Sequence, residues 1–262
     1  MSPPRLAAFA WLTLILLISL LAPALAPYDA TAVNPSQSLA APSPTHLLGT
    51  DLLGRDVYSR LLWGSRRTLG MALLAIVVTS LPGAALGLLA GTVGEPLESW
   101  LLRGVEVMLA LPQLLVALVA VAVLGQTPVA VGLAVGLAGI ASFARLTRAV
   151  VAQVRGQIYV QAAEALGMSP LQIITRHILR NIAPTLVAFT TIHFAWALLN
   201  TATLSFLGFS GNPSAPDWGM MLNEGRAYLV VAPWVSTAPG AIMALTVLAV
   251  NILGEQRGKR ER

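Results

Sequence analysis

The stretch YVQAAEALGMSPLQIITRHILRNIAP, residues 159–184, decides the fold because it is the longest mostly polar, helix-competent segment between strongly apolar ones. Its local chemistry predicts two helices joined by a short bend. Gly167 stands where a residue in the left-handed conformation commonly ends a helix, since glycine has no Cβ to clash there. Ser169, Pro170 and Gln172 then provide an N-cap, a proline at the first helical position and the partner of a capping box.

Residues 160–184, called the elbow below, also carry an apolar stripe after the bend. Leu171, Ile174 and Ile178 recur at spacings of three and four, which predicts one apolar face that anchors the second helix. One interpretation is a basic loop that obeys the charge rule of membrane proteins. The small residues at 162–163 favour a docking surface, because a partner's groove could approach the backbone closely there.

The elbow resembles the Glu-Ala-Ala (EAA) loop of the permease subunits of ATP-binding-cassette (ABC) importers, a short helix pair that docks on the ATPase. The family pattern is Glu-Ala-Ala, three residues, Gly, nine residues, an apolar residue, one further residue, and Leu-Pro. This chain has Gln-Ala-Ala at 161–163, then Gly167, His177 and Leu-Arg at 179–180. It departs from the pattern at the acid, the apolar residue and the proline, where it has Gln, His and Arg.

Further blocks of sequence look like the dipeptide, oligopeptide and nickel branch of these importers, and they follow one another in order over most of the chain. They are HLLGTDLLGRDVYSRL at 46–61, SFLGF at 205–209, WGMML at 218–222, EGRAYL at 224–229 and APW at 232–234. Peptides, opine-like chelates and nickel all remain open as substrates.

The resemblance implies an all-α membrane protein of the type I ABC importer permease architecture, with six transmembrane helices and a cytoplasmic coupling helix pair. The implied partners are a second homologous permease subunit, two cytosolic ABC ATPases that carry ATP and Mg, an extracytoplasmic substrate-binding protein and the lipid bilayer. The chain itself would bind no cofactor. The residues implied to couple to the ATPases are Gln161, Ala162, Ala163, Gly167, Ser169, Leu171, Ile174 and Ile178.

Composition by itself indicates a membrane protein. Of the 262 residues 56% are hydrophobic and only 10% are charged, well below the roughly 25% usual for a soluble domain. The net charge of +5 suits membrane topology better than nucleic acid, because the basic residues are not interleaved with exposed aromatic ones. The chain has no cysteine, which excludes disulfides, cysteine-based zinc sites and thiol nucleophiles.

Apolar runs of about 20 residues can cross a hydrocarbon core of roughly 30 Å, and the chain has six crossings by this measure. The runs are residues 6–26, 68–93, 104–124, 129–148, 185–207 and 236–254. The first is interpreted as a retained helix rather than a signal peptide, since it is long and is preceded only by Arg5. We therefore expect the first helix and an external amphipathic segment in 1–67, a five-helix core in 68–254 with a coupling loop at 155–184, and a basic cytoplasmic tail at 255–262.

The external segment contains a predicted amphipathic helix. Within residues 28–67, Leu53, Val57 and Leu61 share a face, which is typical of a helix lying on the membrane surface. Such a helix either packs on its own protein or contacts an external partner.

Glycines spaced by four residues predict close packing of helix backbones in lipid. Pro82 and Pro112 lie inside predicted crossings, where proline bends a helix unless its neighbours absorb the change. The spaced glycines are Gly83, Gly87 and Gly91 in the second crossing and Gly132 and Gly136 in the fourth.

The basic residues are unequally divided between the two sides of this six-crossing arrangement. The richer side holds Arg5, Arg103, Arg145, Arg148, Arg155, Arg176, Arg180, Arg257, Lys259, Arg260 and Arg262. The poorer side holds Arg55, Arg60, Arg66, Arg67 and Arg226. Because cytoplasmic loops are enriched in Lys and Arg, both termini and the elbow are predicted to be cytoplasmic in a multi-pass protein of the cell (inner) membrane.

No enzyme motif accompanies these features. The only lysine is Lys259, so no P-loop can form, and no His-Glu-x-x-His or Gly-x-Ser-x-Gly motif occurs. His46, His177 and His193 fall in three different compartments, which disfavours a metal site. The sequence therefore predicts a transport subunit that is not an enzyme. A self-sufficient secondary carrier or channel is the alternative, although such carriers usually need ionisable residues inside the membrane.

A polar stripe follows one side of the fifth crossing. Thr190 begins it, and a translocation pathway or hydrogen bonding between helices would each explain it. His193 invites a nickel-ligand hypothesis, but it has no neighbouring ligand in the sequence. The residues predicted to line the pathway are His193, Trp196, Asn200 and Thr203.

The segment between the fifth and sixth crossings, residues 208–235, is rich in turn-forming residues and tryptophan. The aromatic residues could anchor it at the membrane interface. By resemblance, this is the external loop where a binding protein docks and where the outer gate is shaped.

Overall fold

The structure is a computed structural model that describes residues 3–258, with 255–258 described by backbone alone. The basic tail expected at 255–262 therefore lies outside the described side chains. Helices dominate, and no β-strand occurs between residues 3 and 258. The helices are α1 Pro3–Leu25, α2 Val57–Thr92, α3 Leu97–Leu109, α4 Gln113–Leu124, α5 Pro128–Arg155, α6 Ile158–Ala165, α7 Pro170–Ile173, α8 Leu179–Phe206, α9 Trp218–Gly225 and α10 Trp234–Gly258.

Within the described range, five helical spans are long and apolar enough to cross a membrane alone, and the bent pair α3–α4 makes a sixth when counted as one. The contacts of α2 with α5 support the count of six. A Cβ on Gly83 would meet Phe143 at 2.8 Å, and one on Gly91 would meet Val151 at 2.6 Å, so α2 and α5 run parallel. The chain between two parallel neighbours must return across the bundle, and α3–α4 provides that return.

The close packing predicted at the spaced glycines is confirmed. A Cβ added to Gly87 would lie 2.4 Å from the carbonyl oxygen of Ala144, and one added to Gly136 would lie 2.6 Å from Val78. Each distance is shorter than real carbon contacts allow. The two helices thus approach through backbone rather than through side chains, as small residues permit in lipid.

The amphipathic helix expected on the membrane surface within residues 28–67 is not a separate element. α2 begins at Val57, where the Asp56 carboxylate accepts a hydrogen bond from the Ser59 amide at 2.7 Å, and it runs unbroken into the second crossing. Val57 and Leu61 are buried in the protein, whereas Leu53 precedes the helix and is exposed. The expected boundary between residues 67 and 68 therefore falls inside α2, because the first turns pack on protein and not on lipid.

The third crossing, expected as one helix over residues 104–124, is broken. The axes of α3 and α4 differ by 87°, and Pro112 is the N-cap of α4 with an extended ψ of 124°. Proline has no N–H and disfavours helix in the residue before it, so the bend predicted at Pro112 is confirmed. Pro82, by contrast, lies inside α2, which continues through it.

Two assemblies lie at opposite ends of the bundle. The elbow adjoins the end of α2, since Glu164 and Met168 line one cavity together with Thr92. At the other end, residues 26–56 and 207–233 form what we call the cap. The start of α5 lies there too, because a Cβ on Gly211 would meet the Gln126 carbonyl at 2.5 Å.

Candidate functional site

The bend of the elbow is built by local hydrogen bonds, as its sequence predicts. Gly167 has φ +82°, its amide donates to the Glu164 carbonyl at 3.0 Å, and the Met168 amide donates to the Ala163 carbonyl at 3.1 Å. This pair of bonds is the Schellman motif that ends a helix. Ser169 then caps α7 through a complete capping box with Gln172.

The apolar face of the second elbow helix differs from the prediction. A π-turn at Ile174–Ile178 inserts one extra residue into the helix. Leu171 therefore does not lie on the same helix face as Ile178, although their spacing in the sequence is that of a regular α-helix. Ile173 takes the buried position in line with Ile178 and Ile182, and Leu171 is 70% exposed. The stripe predicted at Leu171, Ile174 and Ile178 is therefore wrong at its first member.

The elbow has a buried side and an exposed side. Val160 and Ala163 pack inward with the isoleucines after the bend, which joins the elbow to α5 and α8. The opposite side exposes Leu166 at 85% and Leu171 at 70%, and Ile158, just before the elbow, is 83% exposed. The exposed members of the predicted coupling set are Gln161, Ala162, Gly167, Ser169 and Leu171, while Ile174 is half-buried and Ala163 and Ile178 are buried.

One arginine connects the elbow to two transmembrane helices. Arg155 ends α5, and its guanidinium donates to the Gly91 carbonyl at 3.1 Å and to the Thr92 carbonyl at 3.4 Å at the end of α2. The same guanidinium lies 3.8 Å from the Glu164 carboxylate on α6. Arg155 thus joins the end of α5 to the end of α2 and lies beside α6.

We expect Ser169→Ala to loosen the start of α7 without unfolding the elbow. The hydroxyl accepts from the Gln172 amide at 3.4 Å, and loss of an N-cap typically costs about 1 kcal/mol. Hydrogen–deuterium exchange of the Gln172 amide should therefore be about fivefold faster. Thr175→Ala is the matched control, because its hydroxyl only donates to carbonyls within the same helix, and it should leave that exchange rate unchanged.

The polar stripe on α8 is present, but its groups bond within their own helix. The Nδ1 of His193 lies 3.1 Å from the Phe189 carbonyl, and the Asn200 amide donates to the Trp196 carbonyl at 2.9 Å. Thr203 is exposed and donates to the Leu199 carbonyl at 2.8 Å. Among the described residues, the bonds of these three groups are therefore to carbonyls of α8 itself.

The half-buried members of the stripe face α5. The ring of His193 meets Phe143 edge-on with centroids 5.3 Å apart, and Trp196 lies 3.3 Å from the position of a Cβ on Gly139. His193 has no metal-ligand neighbours, since no group of three His, Cys, Asp or Glu side chains suited to a metal exists among residues 3–254. The stripe offers hydrogen-bonding groups to a ligand but no metal cage.

A buried ionic network that the sequence reasoning missed joins the cap to the start of α2. Arg60, only 1% exposed, donates to Glu224 at 2.7 Å and lies 3.4 Å from Asp51. Arg55 contacts the same two carboxylates, Asp51 at 2.6 Å and Glu224 at 3.1 Å. The sequence signal for this network was the high density of charged residues in the 46–61 block, together with Glu224, the single acidic residue of the 224–229 block.

A second set of contacts fastens the cap to α2. Asp217 accepts from Ser205, Ser210 and the Met220 amide, so its buried carboxylate is fully used. Next to it, the Trp218 indole donates to the Leu61 carbonyl at 3.1 Å. The sequence blocks quoted above thus meet at one end of the molecule and connect the cap to α2 and α8.

Comparison with known protein families identifies a match to this chain. Residues 83–257 match the profile of the binding-protein-dependent transport system inner membrane component family, which covers more than half of the chain. The matched segment includes the polar stripe, the elbow and the 208–233 part of the cap.

Curated relatives extend the similarity to nearly the full length. The chain is 35% identical to the dipeptide transport system permease protein DppC of Alkalihalophilus pseudofirmus, over 93% of this chain and 80% of the relative. It is 36% identical to the glutathione transport system permease protein GsiD of Pectobacterium atrosepticum, over 95% and 83%. It is 37% identical to the di/tripeptide transport system permease protein DppC of Pseudomonas aeruginosa, over 94% and 83%.

Proposed function

Because the chain belongs to the family of binding-protein-dependent transport system inner membrane components, we propose that it forms the pathway for short peptides in an importer driven by cytosolic ATPases. As a member of that family it is a multi-pass inner membrane protein and a permease subunit rather than an enzyme. Peptides are the proposed substrate because the relatives named above are dipeptide, di/tripeptide and glutathione permeases. A chelated metal has less support, since the stripe provides no cluster of ligands in the described part of the chain.

The exposed apolar side of the elbow is the observation that carries the coupling proposal. Large apolar side chains beyond the end of the spans mark an interaction site, because exposed apolar surface in water is costly. Leu166 and Leu171 flank the open bend at Gly167, where an added Cβ would meet nothing within 4 Å among the described atoms. A groove on an ATPase subunit could therefore enclose the bend closely, as in helix-in-groove recognition.

The buried side of the elbow supplies the transmission. Val160, Ile173 and Ile178 pack as one cluster with Val151 of α5, and Arg155 ties α6 to the end of α2. Two ATPases that close on ATP would displace two such elbows, one on this chain and one on a second permease subunit. The movement would then exchange inward and outward openings of a pathway between the subunits.

This mechanism requires the elbow to face the cytoplasm and the cap to face the binding protein. The excess of basic residues on the elbow side supports that orientation. The cap, with its buried ion pairs, would give a substrate-binding protein a surface on which to dock. Its bonds to α2, α8 and α10 would let the outer ends of these helices move together.

The function is tested by reconstituting the complete importer in vesicles, with the second permease, the ATPases and the binding protein. We expect peptide uptake only when ATP is supplied on the elbow side. Uptake by this chain alone, driven by an ion gradient, would instead establish the self-sufficient carrier and overturn the proposal.

The pathway assignment predicts that His193→Ala and Asn200→Ala slow peptide uptake about tenfold while the ATPases stay attached. Both polar groups bond to carbonyls of their own helix, so their removal breaks no hydrogen bond between the described helices, and one lost hydrogen bond to substrate corresponds to about that factor. Thr191→Ala is the control, because its hydroxyl makes the same kind of bond to the Val187 carbonyl on another side of α8. Wild-type uptake by both variants would remove the stripe from the pathway.

A further inference from the structure

The cleft between α1 and α2 contains two cavities, one near the cap and one deeper in the bundle. The cavity near the cap has a volume of about 780 Å³ and is lined by Trp63, Arg66 and Arg67 of α2 and by Pro23 at the end of α1. Both helices reach the edge of the apolar region there, as α1 ends at Leu25. This basic pocket therefore lies at the depth of a membrane–water interface.

The positive charge of the basic pocket is only partly used by the protein. Arg67 donates to the Ala215 and Ser210 carbonyls, which holds its guanidinium still, while its Nε is buried and has no partner in the described structure. Arg66 is exposed and stacks over the Trp63 ring at 5.3 Å, and no described carboxylate pairs with it.

The one acid in the lining of the basic pocket does not neutralise both arginines. Asp29 accepts from the Thr31 amide at 2.8 Å and from the Thr31 hydroxyl at 2.7 Å. These bonds lower the pKa of Asp29, so it stays ionised near neutral pH. Two guanidinium groups against one carboxylate leave the pocket positive and suited to an anion.

The deeper cavity is an apolar groove of about 450 Å³ between α1, α2, α8 and α10. Leu16 of α1 and Leu73 of α2 line it, together with Phe194 of α8. Each leucine lies seven residues from a residue of the basic pocket on the same helix, Pro23 and Arg66 respectively. Seven residues are about two helical turns, so the groove continues on the same faces roughly 10 Å below the basic pocket.

We propose that this cleft binds one anionic phospholipid of the leaflet on the cap side. Its phosphate would accept hydrogen bonds from the exposed guanidinium of Arg66, beside the fixed positive charge of Arg67, and an acyl chain would lie in the apolar groove. Guanidinium groups suit phosphate because they offer several donors in fixed geometry. A free peptide fits less well, since its backbone amides would find few partners along Leu16 and Leu73.

The test uses the complete importer in nanodiscs that contain phosphatidylglycerol and phosphatidylcholine, with retained lipid counted by native mass spectrometry. We expect wild-type protein to retain one phosphatidylglycerol in preference to phosphatidylcholine. Arg66→Gln should weaken that retention about tenfold, the factor for one charge-assisted hydrogen bond, and Arg66→Lys should largely restore it. Restoration by lysine excludes a variant that has merely lost its fold.

Arg103→Gln is the matched control, because Arg103 is also exposed and stacked on a tryptophan, Trp100 at 5.7 Å, but lies outside the cleft. It should retain phosphatidylglycerol like the wild type. The lipid headgroup without its chains, glycerophosphoglycerol, should not displace the bound lipid at millimolar concentration, since the groove contributes to binding. Equal retention of both lipids, unchanged retention by Arg66→Gln, or displacement by a dipeptide or by the free headgroup would each overturn the proposal.

Discussion

Replacement of Gly167 by aspartate should leave the importer assembled in the membrane but reduce its ATPase rate, measured with substrate-loaded binding protein, to the unstimulated level. Gly167 has φ +82°, a conformation that aspartate adopts at modest cost, and the space around it is open. The elbow should therefore keep its fold. The new charge would lie between Leu166 and Leu171, where the proposed ATPase groove must exclude water.

In the same assay, Gly167→Asn separates the effect of the added charge from the effect of the added side-chain volume. Asparagine has nearly the size of aspartate and also tolerates positive φ, so it should retain part of the stimulation. Unchanged stimulation in Gly167→Asp, with normal vesicle reconstitution, would count decisively against docking at the bend. Loss of the protein from the membrane would instead indicate a folding role.

Glu224→Ala should destabilise the cap by roughly 3–5 kcal/mol. Glu224 accepts from Arg60 at 2.7 Å and contacts Arg55 at 3.1 Å, and both arginines are buried. Without it, Asp51 alone faces two buried positive charges. Faster hydrogen–deuterium exchange of residues 28–56, or their earlier cleavage by protease, would report the loss.

The double variant Arg60→Met with Glu224→Ala tests the cause of that loss. Removing one arginine together with the glutamate leaves Arg55 and Asp51 as a neutral pair at 2.6 Å, so much of the stability should return. Glu95→Ala is the control for removing an acid, because Glu95 is exposed and accepts only from the Ser99 hydroxyl at 2.7 Å in the described structure. A double variant as unstable as the single one would show that lost packing, not unpaired charge, is responsible.

The bend of the elbow could be predicted in detail because each of its bonds joins residues at most five apart. Gly167, Ser169 and Gln172 act on their immediate neighbours, and such contacts depend little on the rest of the fold. The phase of the helix after the bend could not be predicted. The π-turn at Ile174–Ile178 has no strong signature in sequence, and it moves Leu171 from the buried face to the surface.

The pairing of the buried charges at the cap could not be predicted from the sequence. Its charged residues are visible in the sequence blocks, but Arg60 and Glu224 are 164 positions apart, and only the fold of the intervening helices brings them together. The same holds for the basic pocket, in which α1, α2 and the loop near Ala215 meet. No local pattern distinguishes an arginine in such a pocket from one on a solvated surface.

By itself, the sequence determined that this chain is a helical membrane protein with six apolar runs, a capped bend and an unequal distribution of basic residues. These properties follow from hydropathy and short-range hydrogen bonding, which act within a few residues. Tertiary structure alone decided that the first turns of α2 are buried in protein and that the charges of Arg60 and Glu224 are paired. These features depend on contacts between segments distant in the chain, whose free energy exists only once the helices have packed.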